Sequence, residues 1–163
     1  MRSTVDTLVK NILVALLMAL VVDVVWQVLT RYALQSPSSF TDELARYIMI
    51  WISLLGAAYY SGQNAHISFD VFPDKLSPEK RVILDIVNKS IVLLFALLVL
   101  VIGGGFLVTF TFQVQQISSS LKIPMAWIYL IGPLSGLLIV FYKTMDIADL
   151  LKKRTQLSSE TLH

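Results

Sequence analysis

From Ser90 to Leu121 the chain runs 32 residues without a charged side chain, and from Tyr47 to Ala65 it runs another 19. At a rise of about 1.5 Å per residue, nineteen helical residues make about 28 Å, close to the hydrocarbon thickness of a bilayer. Such runs predict membrane spans. They also predict helices, because in lipid a span has to satisfy its backbone N–H and C=O groups internally. Composition agrees. Charged residues are 15% of the chain and hydrophobic ones 56%, against about 25% charged in soluble domains. A mean hydropathy of +0.73 over the whole chain implies several spans, not one anchor.

Four spans are expected, at about 11–31, 44–62, 90–117 and 124–142. The first is apolar except for Asp23 and is flanked by Trp26 and Tyr32. Arg2 and Lys10 ahead of it would suit a cleaved signal peptide. However, Asp23, Val24, Val25 and Trp26 stand where the small residues of a cleavage site belong, so the segment is read as a span. Pro124 suits a first helical turn, and Pro133 should bend the fourth span.

Basic residues set the orientation. With the N-terminus inside, Arg2, Lys10, Lys75, Lys80, Arg81, Lys89, Lys143, Lys152, Lys153 and Arg154 lie on the inner side, and Arg31, Arg46 and Lys122 on the outer. Ten against three places both termini in the cytoplasm. Ser77-Pro78-Glu79 reads as a helix start with Ser77 as N-cap. A helix running from there through the third span would be roughly 60 Å long, more than a bilayer needs. An interfacial amphipathic helix over 78–89 is therefore expected, with a turn near Asn88–Ser90. Its lysines and arginine (Lys80, Arg81, Lys89), with Lys152, Lys153 and Arg154 beyond span four, would anchor the chain at the membrane surface. Residues 155–163 read as a polar, disordered tail. The fold class is thus all-α integral membrane: a single domain of four transmembrane helices with cytoplasmic termini and one interfacial helix.

Several chemistries are excluded. There is no cysteine, so no disulfide or thiolate site. The two histidines, His66 and His163, cannot ligate a haem inside a bundle, and a net charge of +2 does not suggest nucleic-acid binding. No metal-ligand cluster, phosphate loop or catalytic arrangement is evident, so neither enzyme activity nor a cofactor or metal is expected. Nor is there an internal repeat of the kind carriers use for alternating access.

Asp23, the deepest charge, is either an ion-coupling site or a carboxyl with a structural or subunit-contact role. Asp42, Glu43 and Arg46 open span two. The acids suit a helix N-terminus, and Arg46 follows them at i+4 and i+3. They form either a local ion pair or a contact with another subunit. Ser53, Ala57 and Ser61 in span two, Gly132 and Gly136 in span four, and Gly103–Gly105 in span three are spaced for close helix contact, within this chain or with a partner. Gln113, Gln115, Gln116, Ser118–Ser120 and Lys122, with Gln35, Ser36, Ser38 and Ser39, make a polar outer face. That face is open to plain solvation or to docking of an extracytoplasmic protein.

Two blocks resemble a known family. One is Phe40-Thr41-Asp42-Glu43-Leu44-Ala45-Arg46-Tyr47, continuing through Trp51 and Leu55-Gly56-Ala57-Ala58 to His66-Ile67 and Asp70. The other is Leu121-Lys122-Ile123-Pro124-Met125-Ala126-Trp127-Ile128-Tyr129, with Pro133 and Gly136. Their order and spacing resemble the small membrane subunit of tripartite ATP-independent periplasmic (TRAP) transporters, the DctQ-like family, most of all its sialic-acid members. The resemblance implies a non-catalytic subunit in a bacterial inner membrane. It would form a stable complex with a large membrane subunit that carries the substrate and sodium sites, and a transient one with a periplasmic substrate-binding protein. It makes Asp23, Glu43, Arg46, Trp51, His66 and Asp70 candidates for large-subunit contact or structural roles. Ser36, Ser39, Asp42, Gln116 and Lys122 become candidates for docking the periplasmic protein. The competing reading is a small, self-sufficient carrier or exporter acting as a homo-oligomer.

Overall fold

The charge-free runs are helical over 47–62 and 90–113. The computed structural model describes residues 2–33, 35, 38–63 and 78–160, with side chains from 82 to 151 in the last segment. Helices α1 (Arg2–Tyr32) and α2 (Ser39–Gly62) come first. Then α3 (Pro78–Phe95) runs without interruption into a π-helical stretch (Ala96–Gly103) and α4 (Gly104–Gln113). A loop leads to α5 (Met125–Tyr129) and α6 (Ile131–Glu160). His66, Asp70, Lys75, Ser77 and Ser36 lie outside the described residues, as do the side chains of Lys80, Arg81, Lys152, Lys153 and Arg154.

Three of these runs are long and apolar enough to cross a membrane: Arg2–Tyr32, Val82–Gln113 and Met125–Leu151. Helix α2 has the length, at 24 residues, but it is more polar. It opens with Asp42, Glu43 and Arg46 and carries Tyr47, Tyr59 and Tyr60.

The helices pack in a row. α1 lies on α2, α2 on α6, and α6 on α3 and the π-helical stretch, while α4 packs on α5. On α1 the buried residues Val9, Asp23 and Thr30 fall at multiples of seven, with the half-buried Leu13, Leu16, Leu20 and Gln27 between them. This is a single seam with a 3.5-residue period. The opposite faces of α1 expose Val14, Leu17, Met18, Val21, Val22 and Val25, as lipid or another subunit requires. The core is built on small residues. Ala58, Ala96 and Ile139 are buried together, with Leu100, Leu138 and Val140 against them.

Glycine sets the closest approach. A Cβ on Gly136 would lie 2.7 Å from Leu100 Cβ, and one on Gly104 would lie 3.0 Å from Pro133 Cδ. The Gly132/Gly136 pair thus packs within this chain. Gly62 meets the fully buried Tyr142 ring in the same way, at 2.8 Å.

Five expectations are corrected. No turn occurs at Asn88–Ser90, where the helix is continuous. The segment has no glycine or proline to break it, and Ser90 Oγ donates back to the Ile86 carbonyl at 2.7 Å within the helix. The segment expected to lie apart in the interface belongs to a helix packed on α6, and Val82 on its apolar face is buried. The tail does not begin at 155, because α6 continues to Glu160; nothing between Leu137 and Glu160 is a glycine or proline, so the helix propagates. Span three ends earlier than expected, at Gln113, because the next residues turn into a structured loop. The bend expected from Pro133 is an interruption at Leu130 between α5 and α6. Pro133 has no N–H to give to the Tyr129 carbonyl four residues before it.

At the end of the row where α1 begins and α2 ends, charges converge on Asp146. Its carboxylate, 2% exposed, receives Arg2 at 2.9 Å, Lys89 at 3.7 Å and Lys143 at 3.7 Å, from α1, α3 and α6. Arg2 also donates to the Gly62 carbonyl and stands 5.8 Å from the Tyr142 ring centroid. The Tyr142 hydroxyl donates to Asp6 at 2.6 Å, and Lys143 donates to the Ser61 carbonyl at 2.7 Å. One cluster therefore ties four helices together at this end.

Candidate functional site

The opposite end of the row is organised by Glu43, in the first two turns of α2 just ahead of its charge-free run. Adjacent helix residues point about 100° apart, so Asp42 and Glu43 take different partners. Asp42 Oδ2 accepts from Arg46 at 2.6 Å, with both side chains mostly exposed, and its other oxygen accepts from Gln27 of α1 at 3.3 Å. Glu43 turns toward the loop that follows α4. It accepts backbone N–H groups from Ser119 (3.2 Å), Ser120 (2.7 Å) and Leu121 (3.0 Å), and the Tyr47 hydroxyl at 2.7 Å. The expected grouping of Arg46 with both acids is thereby corrected, since among the described residues Arg46 pairs with Asp42 and not with Glu43.

Successive N–H groups converging on a carboxylate form a backbone nest, and a charged acceptor strengthens each bond. The Glu43 carboxyl is accordingly held well below its usual range, at about 2. The Tyr47 hydroxyl is the largest cause, partial burial works against it, and the Leu121 and Ser120 N–H groups add to the lowering. The buried Ser118 hydroxyl also contributes by proximity, although its oxygen completes no hydrogen bond of normal geometry.

The loop is folded onto this anchor. Ile117 and Pro124 form an antiparallel bridge, with Ser118 N–H donating to the Ile123 carbonyl and Met125 N–H to the Gln116 carbonyl, both at 2.9 Å. Gln115 (φ 50°) and Lys122 (φ 57°) take the left-handed conformation at either side. Below the loop, Trp51 Nε1 donates to the Ile128 carbonyl at 3.2 Å, tying α2 to α5. The rim also holds an open cavity of about 700 Å³ whose lining includes Gln27, Arg31, Ser39, Asp42, Arg46 and Ser120.

Of the sequence candidates, Glu43 and Trp51 are engaged inside this chain. Ser39, Asp42 and Arg46 line the rim cavity, and Gln116 and Lys122 lie exposed on the latched loop. Asp23 is buried in the α1 seam, and no hydrogen bond reaches its Oδ2. Lys89 is turned inward to Asp146. Sequence reasoning missed the Ser119–Leu121 nest and Asp146; the trace of the latter is an acid three residues after Lys143, where the apolar run of α6 gives way to charged residues. No group of residues suited to a metal ion occurs among the described residues. The arrangement can hold a polar loop rigid at one rim of an apolar bundle.

Residues 11–153 match the family model described as the DctQ component of tripartite ATP-independent periplasmic transporters. The chain belongs to this DctQ family. It is 30% identical to the sialic acid TRAP transporter small permease protein SiaQ of Vibrio cholerae, over 98% of this chain and 90% of that one. It is 28% identical to a TRAP transporter small permease protein of Haemophilus influenzae, over 69% of this chain and 68% of that one. A third relative, the C4-dicarboxylate TRAP transporter small permease protein DctQ of Rhodobacter capsulatus, is 26% identical over 63% of this chain and 44% of its own length. With its long apolar helices, this DctQ-family chain is an integral membrane protein.

Proposed function

We propose that the chain is the small, non-catalytic membrane subunit of a sodium-driven TRAP transporter that imports an organic acid, sialic acid (N-acetylneuraminate) being the best fit. The end-to-end similarity to SiaQ carries this reading. In it, α2 is a fourth span between α1 and the α3–α4 helix. Arg2, Gly62, Lys89 and Asp146 gather at one end and Glu43 and the loop at the other, so successive helices run in alternate directions. The positive-inside bias then puts the termini in the cytoplasm of the inner membrane. The large subunit, which would carry substrate, needs a fixed body to move against, and this chain's exposed apolar faces add to that body. The polar rim, with Ser36, Ser39, Asp42, Gln116 and Lys122, helps receive the periplasmic binding protein, while Arg46 and the unplaced His66 and Asp70 contact the large subunit. Lys80, Arg81, Lys152, Lys153 and Arg154 lie at the cytoplasmic surface.

Co-purification of both membrane subunits, with uptake measured in liposomes alongside the binding protein, tests the proposal. Arg46→Glu is expected to lower co-purification, and Lys122→Glu to lower uptake with the complex intact. Full-rate uptake by the large subunit without this chain overturns the scaffold role. Uptake by this chain alone would establish the self-sufficient carrier instead. Cysteine labelling tests the orientation: Ser38→Cys should react with an impermeant reagent from the periplasm, and Ser158→Cys should not.

A further inference from the structure

The cluster around Asp146 carries more positive charge than holding the helices together requires. Among the described residues, Arg2, Lys89 and Lys143 face two carboxylates, Asp146 and the Asp6 bound to Tyr142. Asp85, one turn before Lys89 on α3, and Asp149 on α6 form no ion pair with these cations among the described residues. Arg2 spends its donors on Asp146 and the Gly62 carbonyl, and Lys143 gives one hydrogen bond to the Ser61 carbonyl. Lys89 is different. Among the described residues its one polar contact is Asp146 Oδ2 at 3.7 Å, beyond hydrogen-bond distance, and its side chain is 20% exposed. The ammonium therefore keeps its donors for another acceptor.

Height says what that acceptor is. The helices connect this cluster to the Glu43 latch through about 30 Å of rise, roughly one hydrocarbon thickness. The three cations thus stand level with lipid headgroups.

We propose that Lys89 and Lys143, with Arg2 behind them, bind the phosphate of an anionic phospholipid in the leaflet level with the Asp146 cluster. Basic pockets between membrane helices are suited to such headgroups. The inference rests only on the chain spanning a bilayer, and holds whatever the chain transports or assists.

The test is native mass spectrometry of the full chain released from nanodiscs of phosphatidylcholine with and without phosphatidylglycerol. The wild type is expected to retain phosphatidylglycerol in preference to phosphatidylcholine. Lys89→Gln should lower that retention by about fivefold, the scale for one basic residue near a charged surface, and Lys89→Arg should restore it. Lys10→Gln, outside the cluster, should leave it unchanged. Lys143→Gln serves as a second variant if Lys89→Gln loses helicity. Equal retention in both glutamine variants overturns the proposal, as does an equal loss in Lys10→Gln. Displacement of the lipid by inorganic phosphate would identify a free-anion site and overturn the assignment to lipid.

Discussion

Placing a methyl group on Gly136 should push α6 away from the π-helical stretch. The alanine Cβ would stand 2.7 Å from Leu100 Cβ, 2.9 Å from Val101 Cγ2 and 3.1 Å from the Val101 backbone nitrogen. Favourable contacts between carbon atoms lie at about 3.5–4.0 Å. A Cβ and a backbone nitrogen cannot swing aside as the end of a side chain can, so the two backbones must part. Overpacking of this kind costs about 1–3 kcal/mol. Alanine also gains about 1 kcal/mol over glycine in a helix interior, which would mask part of the loss. Gly105 supplies the control, because a Cβ there meets nothing within 4 Å. Gly105→Ala keeps the gain without the clash. The difference between the two variants cancels helix propensity and leaves about 1–3 kcal/mol, or roughly five- to 150-fold in the unfolding constant. Reversible unfolding in mixed micelles, followed by tryptophan fluorescence, reads that difference. If Gly136→Ala proves as stable as Gly105→Ala, the close packing of these helices is wrong.

Three further outcomes are expected. Glu43→Gln should speed hydrogen exchange at the Ser119, Ser120 and Leu121 amides while leaving the middle of α2 protected. Because the Glu43 pKa is lowered on folding, its contribution is complete above the ordinary value of 4.5 and is lost as pH falls toward about 2. In the wild type, protection of these amides should therefore fade over that window, and pH-independent protection would contradict the latch. Asp146→Asn should cost about 3–5 kcal/mol by leaving three cations around a neutral, buried group, seen as a lower midpoint in the same unfolding assay. Lys122→Gly should be neutral or stabilising, since Lys122 holds φ at 57°. A drop in uptake with that variant, at unchanged stability, would mark the side chain as a docking contact.

The sequence was most informative where one-dimensional quantities suffice. Runs without charge marked long apolar helices, since a membrane penalises each buried charge wherever its partners lie. The acids at the start of α2 marked its N-terminus, and the two motif blocks marked the family. It was least informative where the decision was about continuity. Helix length in excess of a bilayer suggested a turn at Asn88–Ser90, yet no residue there opposes a helix, and packing against α6 keeps α3 straight through. The π-helical stretch Ala96–Gly103 likewise has no local signal in its uniformly apolar residues. Gly132 and Gly136 announced a close contact without saying with which helix.

By itself, then, the sequence determined an all-helical membrane chain and its place among the TRAP small subunits. Each of these follows from residue type and spacing along one helix or motif. Tertiary structure alone decided that Glu43 abandons Arg46 for the amides of Ser119–Leu121, 76 to 78 residues away, and that Asp146 gathers Arg2 from 144 residues away. Those pairings depend on how each helix is rotated about its axis when it packs. That rotation is fixed by where glycine lets backbones meet and by which polar groups must find partners out of water, and both are properties of the assembled bundle.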